Sequence, residues 1–599
     1  MKKPSFISAC LLFTFLISAG IKAQSHHLDK SLKGFDEYIE KVMRDWNTPG
    51  IAVGIVIGDK LEYRKGFGFR DLENQLPVTS GTLFPIASNT KLFTAVSMGM
   101  LVEEGKMAWD EPVSCYVPQI RFYNRELYNT VTLRDMLAHR TGISRHDMIW
   151  YKSDFSRKEI FDRLVYLEPA QPLRQGSLYN NLMYAAAGYC LELITNRTWE
   201  DFVRENILNP LDMTSTLFTI EEMEKQMDFA YPYYEDRDTE ELIRRPFYRE
   251  FQGVGPCGSI ISNIEDMSRW VITLMHQGNY QGKNVIQPDI LKETLQPAIA
   301  YPNYELETSG YDEILNSVYG MGRSISAYKG HYLTRHGGAI GGFYSQVSMM
   351  PYDSIGVIVF VNGAHNGSLP NIITLNIYDR LLGLEPTDFN GRSLQNRMDG
   401  KEASRKAREH AGSDRIPDTH PSHPLSDYVG KYKDPAYGIL DIRGDGQQLE
   451  FDFHHIVLLL DHYHYDRFDT PDDQIYGKFS VNFSTNPKGD IHAATVSLDE
   501  SEVTFVKMPD ESLSDPGILA LYTGQFELAG NVIEIVLSDE GHLQMIIPGQ
   551  PDYTLIPYKP QEFILKEFSD NTIRFILDGD QVKMMQSVSP EGIYEYLKK

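Results

Sequence analysis

Ser88-Asn-Thr-Lys91 sets a hydroxyl and an amine three residues apart. On a helix, residues i and i+3 share a face, so the Lys91 amine can stand beside Ser88 Oγ. A serine becomes a nucleophile only with a base within hydrogen-bond reach. The first turn of a helix favours negative charge. Burial would desolvate Lys91, lower its pKa and leave a neutral amine able to take the serine proton. Four letters do not select a site alone, because Ser326-Ala-Tyr-Lys329 fits the same pattern but lies in a stretch that reads as strand. The context selects Ser88: Phe84-Pro-Ile-Ala87 precedes it, and Leu92 to Val102 is apolar nearly all round, as a buried helix must be.

Two further clusters carry matching chemistry. Tyr179-Asn-Asn181 leads into the small-residue run Ala185-Ala-Ala-Gly188. A tyrosine beside the nucleophile can shuttle a proton, and the Asn181 amide can orient Lys91 and bind a substrate carbonyl. His336-Gly-Gly338-Ala339 precedes Gly341-Gly-Phe343 and an apolar strand. Glycines in a strand let another backbone approach closely. The Ala339 N–H could join the Ser88 N–H as an oxyanion hole, and His336 could polarise the site or tune Tyr179. A Gly-x-Ser-x-Gly elbow and a His-Glu-x-x-His zinc motif are both absent from the sequence.

The order Ser-x-x-Lys, Tyr-x-Asn, His-Gly-Gly resembles the serine β-lactamase-related superfamily, which includes class C β-lactamases, penicillin-binding DD-peptidases, D-aminopeptidases and family VIII esterases. Other stretches agree: Leu133 to Gly142, Gly255-Pro-Cys-Gly-Ser-Ile-Ile-Ser262, and Tyr319-Gly-Met-Gly322. The resemblance spans about residues 30 to 380. It implies Ser88 as acylated nucleophile, Lys91 as general base, Tyr179 as proton relay, and Asn181 as a positioning residue. His336, Gly337, Gly338 and Ala339 form the third wall. It implies no cofactor and no metal. Where β-lactamases and many penicillin-binding proteins carry Lys-Thr-Gly, this chain has His336-Gly337-Gly338. A histidine near its usual pKa is neutral at pH 7, and Gly337 has no hydroxyl, so ester or peptide hydrolysis ranks above antibiotic hydrolysis.

The elements that position these residues read as an α+β catalytic domain over residues 28–385, an antiparallel sheet flanked by helices with a helical lobe near residues 100 to 260. Ile51 to Ile57 reads as a buried strand with Leu61 to Phe69 as its hairpin partner. Tyr344 to Val361 reads as strand, turn, strand. Ser262-Asn-Ile-Glu265 reads as a capping box opening a helix. Residues 386–423 are polar and charged and read as a solvated, partly helical linker.

Beyond it the pattern is all β. Tyr428-Val-Gly-Lys-Tyr432 and Tyr522-Thr-Gly-Gln-Phe526 each open a strand, tight turn and strand. The repeat predicts barrel-like domains over 424–510 and 516–599, resembling the lipocalin-like domains that trail related hydrolases. These domains are candidates for capping the cleft, limiting substrate size or mediating oligomerisation. His462-x-His464 puts two imidazoles on one strand face, a zinc site only if a third ligand such as Asp461 or Asp466 joins them; structural use is the expectation.

Composition narrows the partners. The chain has 599 residues and a net charge of −25, from 57 Lys+Arg against 82 Asp+Glu. Without clustered basic residues it is a poor nucleic-acid binder. Lys2, Lys3, the apolar run Phe6 to Ile21, and Ala23 before Gln24 read as a signal peptide over 1–23, so the mature protein is expected to be exported to the periplasm or beyond, with no membrane span. Cys115, Cys190 and Cys257 then remain, an odd count that reads as buried thiols rather than a disulfide framework. The alternatives differ in class: a β-lactamase or DD-peptidase acting on β-lactams or stem peptides, or a ligand-binding β-barrel protein with a vestigial hydrolase domain.

Overall fold

In the computed structural model, residues 28–249, 253–300, 312–498 and 501–599 are described. The expected signal peptide lies outside them. The chain forms two units, one running to Asp414 and one over Arg415–Lys599, apart from a short exchange near residue 500.

The first unit is built on a nine-stranded antiparallel sheet. Its strands are β1 (Gly50–Ile57), β2 (Lys60–Asp71), β3 (Leu76–Pro77), β4 (Ile299–Ala300), β5 (Ile314–Tyr319), β6 (Ser324–Tyr328), β7 (His331–Ile340), β8 (Phe343–Met350) and β9 (Ile355–Asn362), in the order β4-β5-β6-β7-β8-β9-β1-β2-β3. The principal helices are α1 (Phe35–Asp45), α2 (Thr90–Glu103), α3 (Asn181–Thr195), α4 (Ile264–Met275), α5 (Leu369–Leu382) and α6 (Phe389–Glu409).

β1 is apolar throughout because helices cover both of its faces. Ile51, Val53 and Ile55 join Phe35, Ile39 and Val42 of α1 and Ile372 and Leu375 of α5 in one core. The opposite face meets α4 so closely that a Cβ on Gly54 would stand 2.5 Å from Ile264 Cγ2. β1 pairs with β9 from Ile51↔Val361 to Ile57↔Ile355, which locks the middle of the sheet. The β8–β9 pair is the strand, turn, strand that the sequence predicts.

α4 starts one residue later than the proposed capping box. Asn263 is the N-cap, its side chain accepting from the Asp266 amide at 2.9 Å. Ser262 instead belongs to a short strand paired with Phe84 and bonds Thr216 at 2.9 Å, while Glu265 accepts from Ser80 Oγ. Asn and Ser cap equally well, and strand pairing claims the serine here.

The segment read as a linker opens with the 21-residue helix α6. Phe389 and Asn390 are buried, Asn390 accepts from Trp46 Nε1 at 2.8 Å, and Arg397 pairs with Glu235 at 2.6 Å. These contacts dock the helix on the first unit despite its polar composition. Cys190 and Cys257 are buried, whereas Cys115 is exposed, contrary to expectation. In its one-turn helix Val113 takes the inward position.

The second unit holds two closed eight-stranded antiparallel barrels, one from Gly430–Asp434 to Ser501–Lys507 and one from Gly524–Leu528 to Gly592–Lys598. The repeat seen in the sequence marks their first strands. Gly430 and Gly524 take φ +138° and +140°, and at each a Cβ would press on a lysine side chain of the closing strand, Lys507 or Lys598. Side chains fill both interiors, Phe451, Phe453 and Phe505 in the first and Phe526, Phe563 and Phe575 in the second, as eight-stranded closure allows.

A bulge separates His462 from His464. His462 Nε2 lies 2.9 Å from the Tyr465 carbonyl, and His464 Nδ1 accepts from the Ile416 amide. Among the described residues no cluster of three or more metal-ligating side chains forms, and no helix is long and apolar enough to cross a membrane.

Candidate active site

Every residue from Thr82 to Gly99 is buried except Ser88, which is half-buried. The chain reaches Ser88 through a rigid approach. Phe84–Pro85 pairs with Ile261–Ser262, and the Ile86 amide bonds the Ile260 carbonyl at 2.9 Å. Ala87 then takes φ +48°, a left-handed conformation that costs a non-glycine residue about 1–2 kcal/mol. Such strain persists only where the surroundings enforce it. Here Ser345 Oγ donates to the Ile86 carbonyl at 2.7 Å and accepts from Asn89 Nδ2 at 2.8 Å, bracketing the serine from both sides.

Lys91 is fully buried at the start of α2. Its Nζ lies 3.0 Å from Ser88 Oγ, 2.8 Å from Asn181 Oδ1 and 2.9 Å from the Cys257 carbonyl. Three partners exhaust the donors of an ammonium; a neutral amine would accept from the serine hydroxyl and donate to the other two. The Gly255–Ser262 segment is stitched to α2, with Thr94 donating to the Pro256 carbonyl and the Ile260 amide donating to Thr90 Oγ1.

Asn181 opens α3. Its Oδ1 holds Lys91, and its Nδ2 gives one of its two N–H groups to Asp147 Oδ1 at 3.0 Å. Arg145 pairs with Asp147 and stands 5.3 Å from the centre of the Tyr179 ring. Tyr179 precedes α3, with Lys91 Nζ 4.9 Å from its ring centre. Among the described residues no hydrogen bond joins its hydroxyl to Ser88 or Lys91.

β7 forms the third wall. A Cβ on Gly338 would fall 2.3 Å from the Ile86 carbonyl oxygen, so only glycine lets the strand lie against the serine turn. Gly337 is exposed, its Cβ position meeting nothing nearer than Gln346 Oε1 at 3.3 Å, and Ala339 is exposed opposite Tyr344. His336 does not bond Tyr179, whose ring is 6.2 Å away; its Nε2 bonds the Tyr319 hydroxyl at 2.9 Å and its Nδ1 the Gly337 carbonyl. Burial, reinforced by the Lys91 charge, pushes its pKa down to about 3, so the imidazole is neutral at pH 7. In the Tyr319–Gly322 stretch, Gly322 at φ +75° lies against the backbone of Lys91 and Leu92.

Ser88, Lys91 and Asn181 are thus in direct contact, with Tyr179, His336, Gly338 and Ala339 around them. Ser326 sits in β6, and Lys329 bonds Asp379 at 2.8 Å, so the second Ser-x-x-Lys forms no such pair. Sequence reasoning missed Arg145 and Asp147, loop residues without periodicity or motif. The His139 ring centre lies 4.2 Å from that of Tyr179, the planes tilted by 39°; its Nδ1 accepts the Asn180 amide, and burial holds its pKa well below the usual value.

Residues 35–378 match the β-lactamase family model. The chain belongs to the β-lactamase family. Members of that family are serine hydrolases. Residues 414–512, the first barrel, match a domain of unknown function, DUF3471. Among curated relatives of this β-lactamase-family chain, unguisins hydrolase ungD' of Aspergillus campestris is 28% identical over 435 residues, covering 69% of this chain and 78% of that protein. Protein flp of Staphylococcus aureus is 23% identical over 344 residues, covering 55% of this chain and 63% of that one. The octameric penicillin-binding protein homologue from Pyrococcus abyssi shares the fold, with a TM-score of 0.53 and 21% identity over 79% of this chain and 99% of that one.

Proposed function

We propose that the protein is an exported serine hydrolase acting on small esters or peptides, including D-residue peptides, through an acyl-enzyme on Ser88. The observation that carries the reading is Lys91 Nζ held 3.0 Å from the one half-buried side chain of an otherwise buried segment. As Ser88 Oγ attacks the carbonyl carbon, its proton passes to Lys91 and the C=O electron pair moves onto oxygen. The N–H groups of Ser88 and Ala339 are the donors assigned to that oxyanion. Collapse of the intermediate breaks the bond to the leaving group, which takes the proton from Lys91 by way of Tyr179. A water then passes a proton to Lys91 along the same route as its oxygen attacks the acyl carbon; collapse breaks the C–Oγ bond, Ser88 Oγ recovers the proton from Lys91, and the acid is released.

His336 supports ester and peptide substrates over β-lactams. It is neutral and already bonded to Tyr319, so it supplies no cation for an antibiotic carboxylate. The packed barrel interiors count against a ligand-binding role for the second unit. The test is labelling with a fluorophosphonate: wild type and Ser326→Ala label, Ser88→Ala does not. Absence of labelling in the wild type, or retention in Ser88→Ala, overturns the assignment. For export, N-terminal sequencing of the mature protein should begin near Gln24.

A further inference from the structure

Next to the segments that carry the site lies a cavity of about 400 Å³, lined by none of Ser88, Lys91, Tyr179, Asn181, Tyr319 and His336. That volume falls in the range of small-molecule pockets, about 300–1,000 Å³. Three of its lining segments continue directly into the site: Pro85, three residues before Ser88; Gly258, next to the Cys257 carbonyl that holds Lys91; and Ile340, next to Ala339. Its walls are largely apolar, with Phe218, Phe247, Tyr248 and Phe343.

One end is polar. At the point where a Cβ on Gly255 would stand, Arg157 Nη2, Glu200 Oε1 and Ser259 Oγ converge within 2.8, 3.0 and 3.3 Å. Arg157 pairs with both Glu192 and Glu200, so among the described residues this floor holds two carboxylates to one guanidinium. At the rim, Arg249 pairs with Glu224 at 2.8 Å and with Glu221 at 3.3 Å. Ser259 lines the cavity, is only 7% exposed, and its hydroxyl has no hydrogen-bond partner among the described residues. A buried hydroxyl left unpaired is unfavourable, and a ligand group that bonds it removes that cost.

We propose that this cavity is the acyl-side subsite, shaped for a bulky arylalkyl acyl group whose far end carries an ammonium. The inference rests on the Ser88 reading. Tyr179, the residue assigned to protonate the leaving group, does not line the cavity, so the cavity is assigned to the acyl portion of the substrate. Aromatic walls take the ring. The ammonium meets the excess carboxylate and the Ser259 hydroxyl.

The experiment uses the full-length protein and three 4-nitrophenyl esters: acetate, 3-phenylpropanoate, and 3-[4-(aminomethyl)phenyl]propanoate. We expect kcat/KM to rise at least tenfold from the first to the second and about fivefold more to the third. Ser259→Ala should remove most of the second gain. Ile340→Trp, placed at a half-buried position to fill the cavity, should collapse the aryl-to-acetyl ratio toward one. In parallel, calorimetry should show 3-[4-(aminomethyl)phenyl]propanoate binding the wild type at least tenfold more tightly than Ile340→Trp. Equal kcat/KM for the three esters, or a preference that survives Ile340→Trp, overturns the subsite and leaves the serine intact. If no ester is cleaved, the serine reading falls, and the calorimetric comparison alone decides the cavity: equal or absent binding in wild type and Ile340→Trp rejects it.

Discussion

The His336 imidazole is hydrogen-bonded through Nε2 to the Tyr319 hydroxyl at 2.9 Å. Nδ1 faces the Gly337 carbonyl, so the neutral tautomer with hydrogen on Nδ1 satisfies both contacts. With its pKa pushed down to about 3, this group stays uncharged across the working range. The kcat/KM profile for 4-nitrophenyl acetate should therefore show no acid limb from His336 between pH 5 and 8, and Tyr319→Phe should not create one. A limb near pH 6.5 that disappears in His336→Asn would contradict the neutral assignment.

The same depression has a stability consequence. His139 and His336 both have native pKa values below that of the unfolded chain, so the unfolded state binds more protons below about pH 6.5. Stability must then fall as pH drops from 6.5, by about 1 kcal/mol per pH unit for His336 and further for His139. Thermal unfolding between pH 7.5 and 5 should show this loss, and His336→Asn should remove the His336 share of the slope, about 1 kcal/mol per pH unit. A Tm independent of pH over that range would refute it.

Lys91 has no substitute in this geometry. It forms no salt bridge among the described residues, and its three partners are Ser88, Asn181 and the Cys257 carbonyl. Lys91→Met keeps the length and apolar stem but removes the proton acceptor. Loss of at least 10³-fold in kcat/KM is expected, the scale seen when a nucleophile loses its base. Fluorophosphonate labelling should slow in parallel. Turnover within tenfold of wild type would exclude Lys91 as the base.

How far the site could be read from sequence follows from how local each relationship is. Ser88 and Lys91 share one helical turn, and an i, i+3 spacing is visible in the letters. The strand pattern of β1 and the paired Tyr-x-Gly openings of the barrels were legible for the same reason: period and turn chemistry are local. Asp147 meets Asn181 across 34 residues, and no pattern around it distinguishes it from solvated surface. His139 carries φ +58° in the loop after a short helix, a placement fixed by tertiary packing on Tyr179. Asn263 displaced Ser262 as the cap because the serine was needed in a strand that only the folded chain reveals.

On the proposed mechanism, Asp147 is a positioning residue that acts through Asn181. Its carboxylate fixes the amide so that Oδ1, not Nδ2, faces Lys91. Asp147→Asn offers the amide a second donor and loosens that choice. We expect kcat to fall by about threefold to thirtyfold with KM changed less than threefold, since no substrate contact is lost. Asn181→Ala, which removes a direct Lys91 partner, should cost more than Asp147→Asn. Steady-state kinetics on one ester decide it; an effect confined to KM would mean substrate contact instead.

Gly337 and Gly338 are neighbours with opposite demands. A Cβ at Gly337 comes no nearer than 3.3 Å to Gln346 Oε1 and 3.8 Å to the Ser345 carbonyl oxygen, so Gly337→Thr should leave Tm within about 1 °C of wild type. A Cβ at Gly338 lands 2.3 Å from the Ile86 carbonyl oxygen and 2.4 Å from Ser345 Oγ, the atoms that bracket the serine turn. Gly338→Ala must push β7 off that turn, because neither backbone nor a doubly bonded hydroxyl can yield cheaply. The expected destabilisation is about 1–3 kcal/mol. Ser88 labelling should also fall at least tenfold, because the displaced strand carries the Ala339 N–H with it. Calorimetric Tm and labelling rate, measured side by side, check both halves; equal behaviour of the two variants would mean that β7 does not lie against the serine.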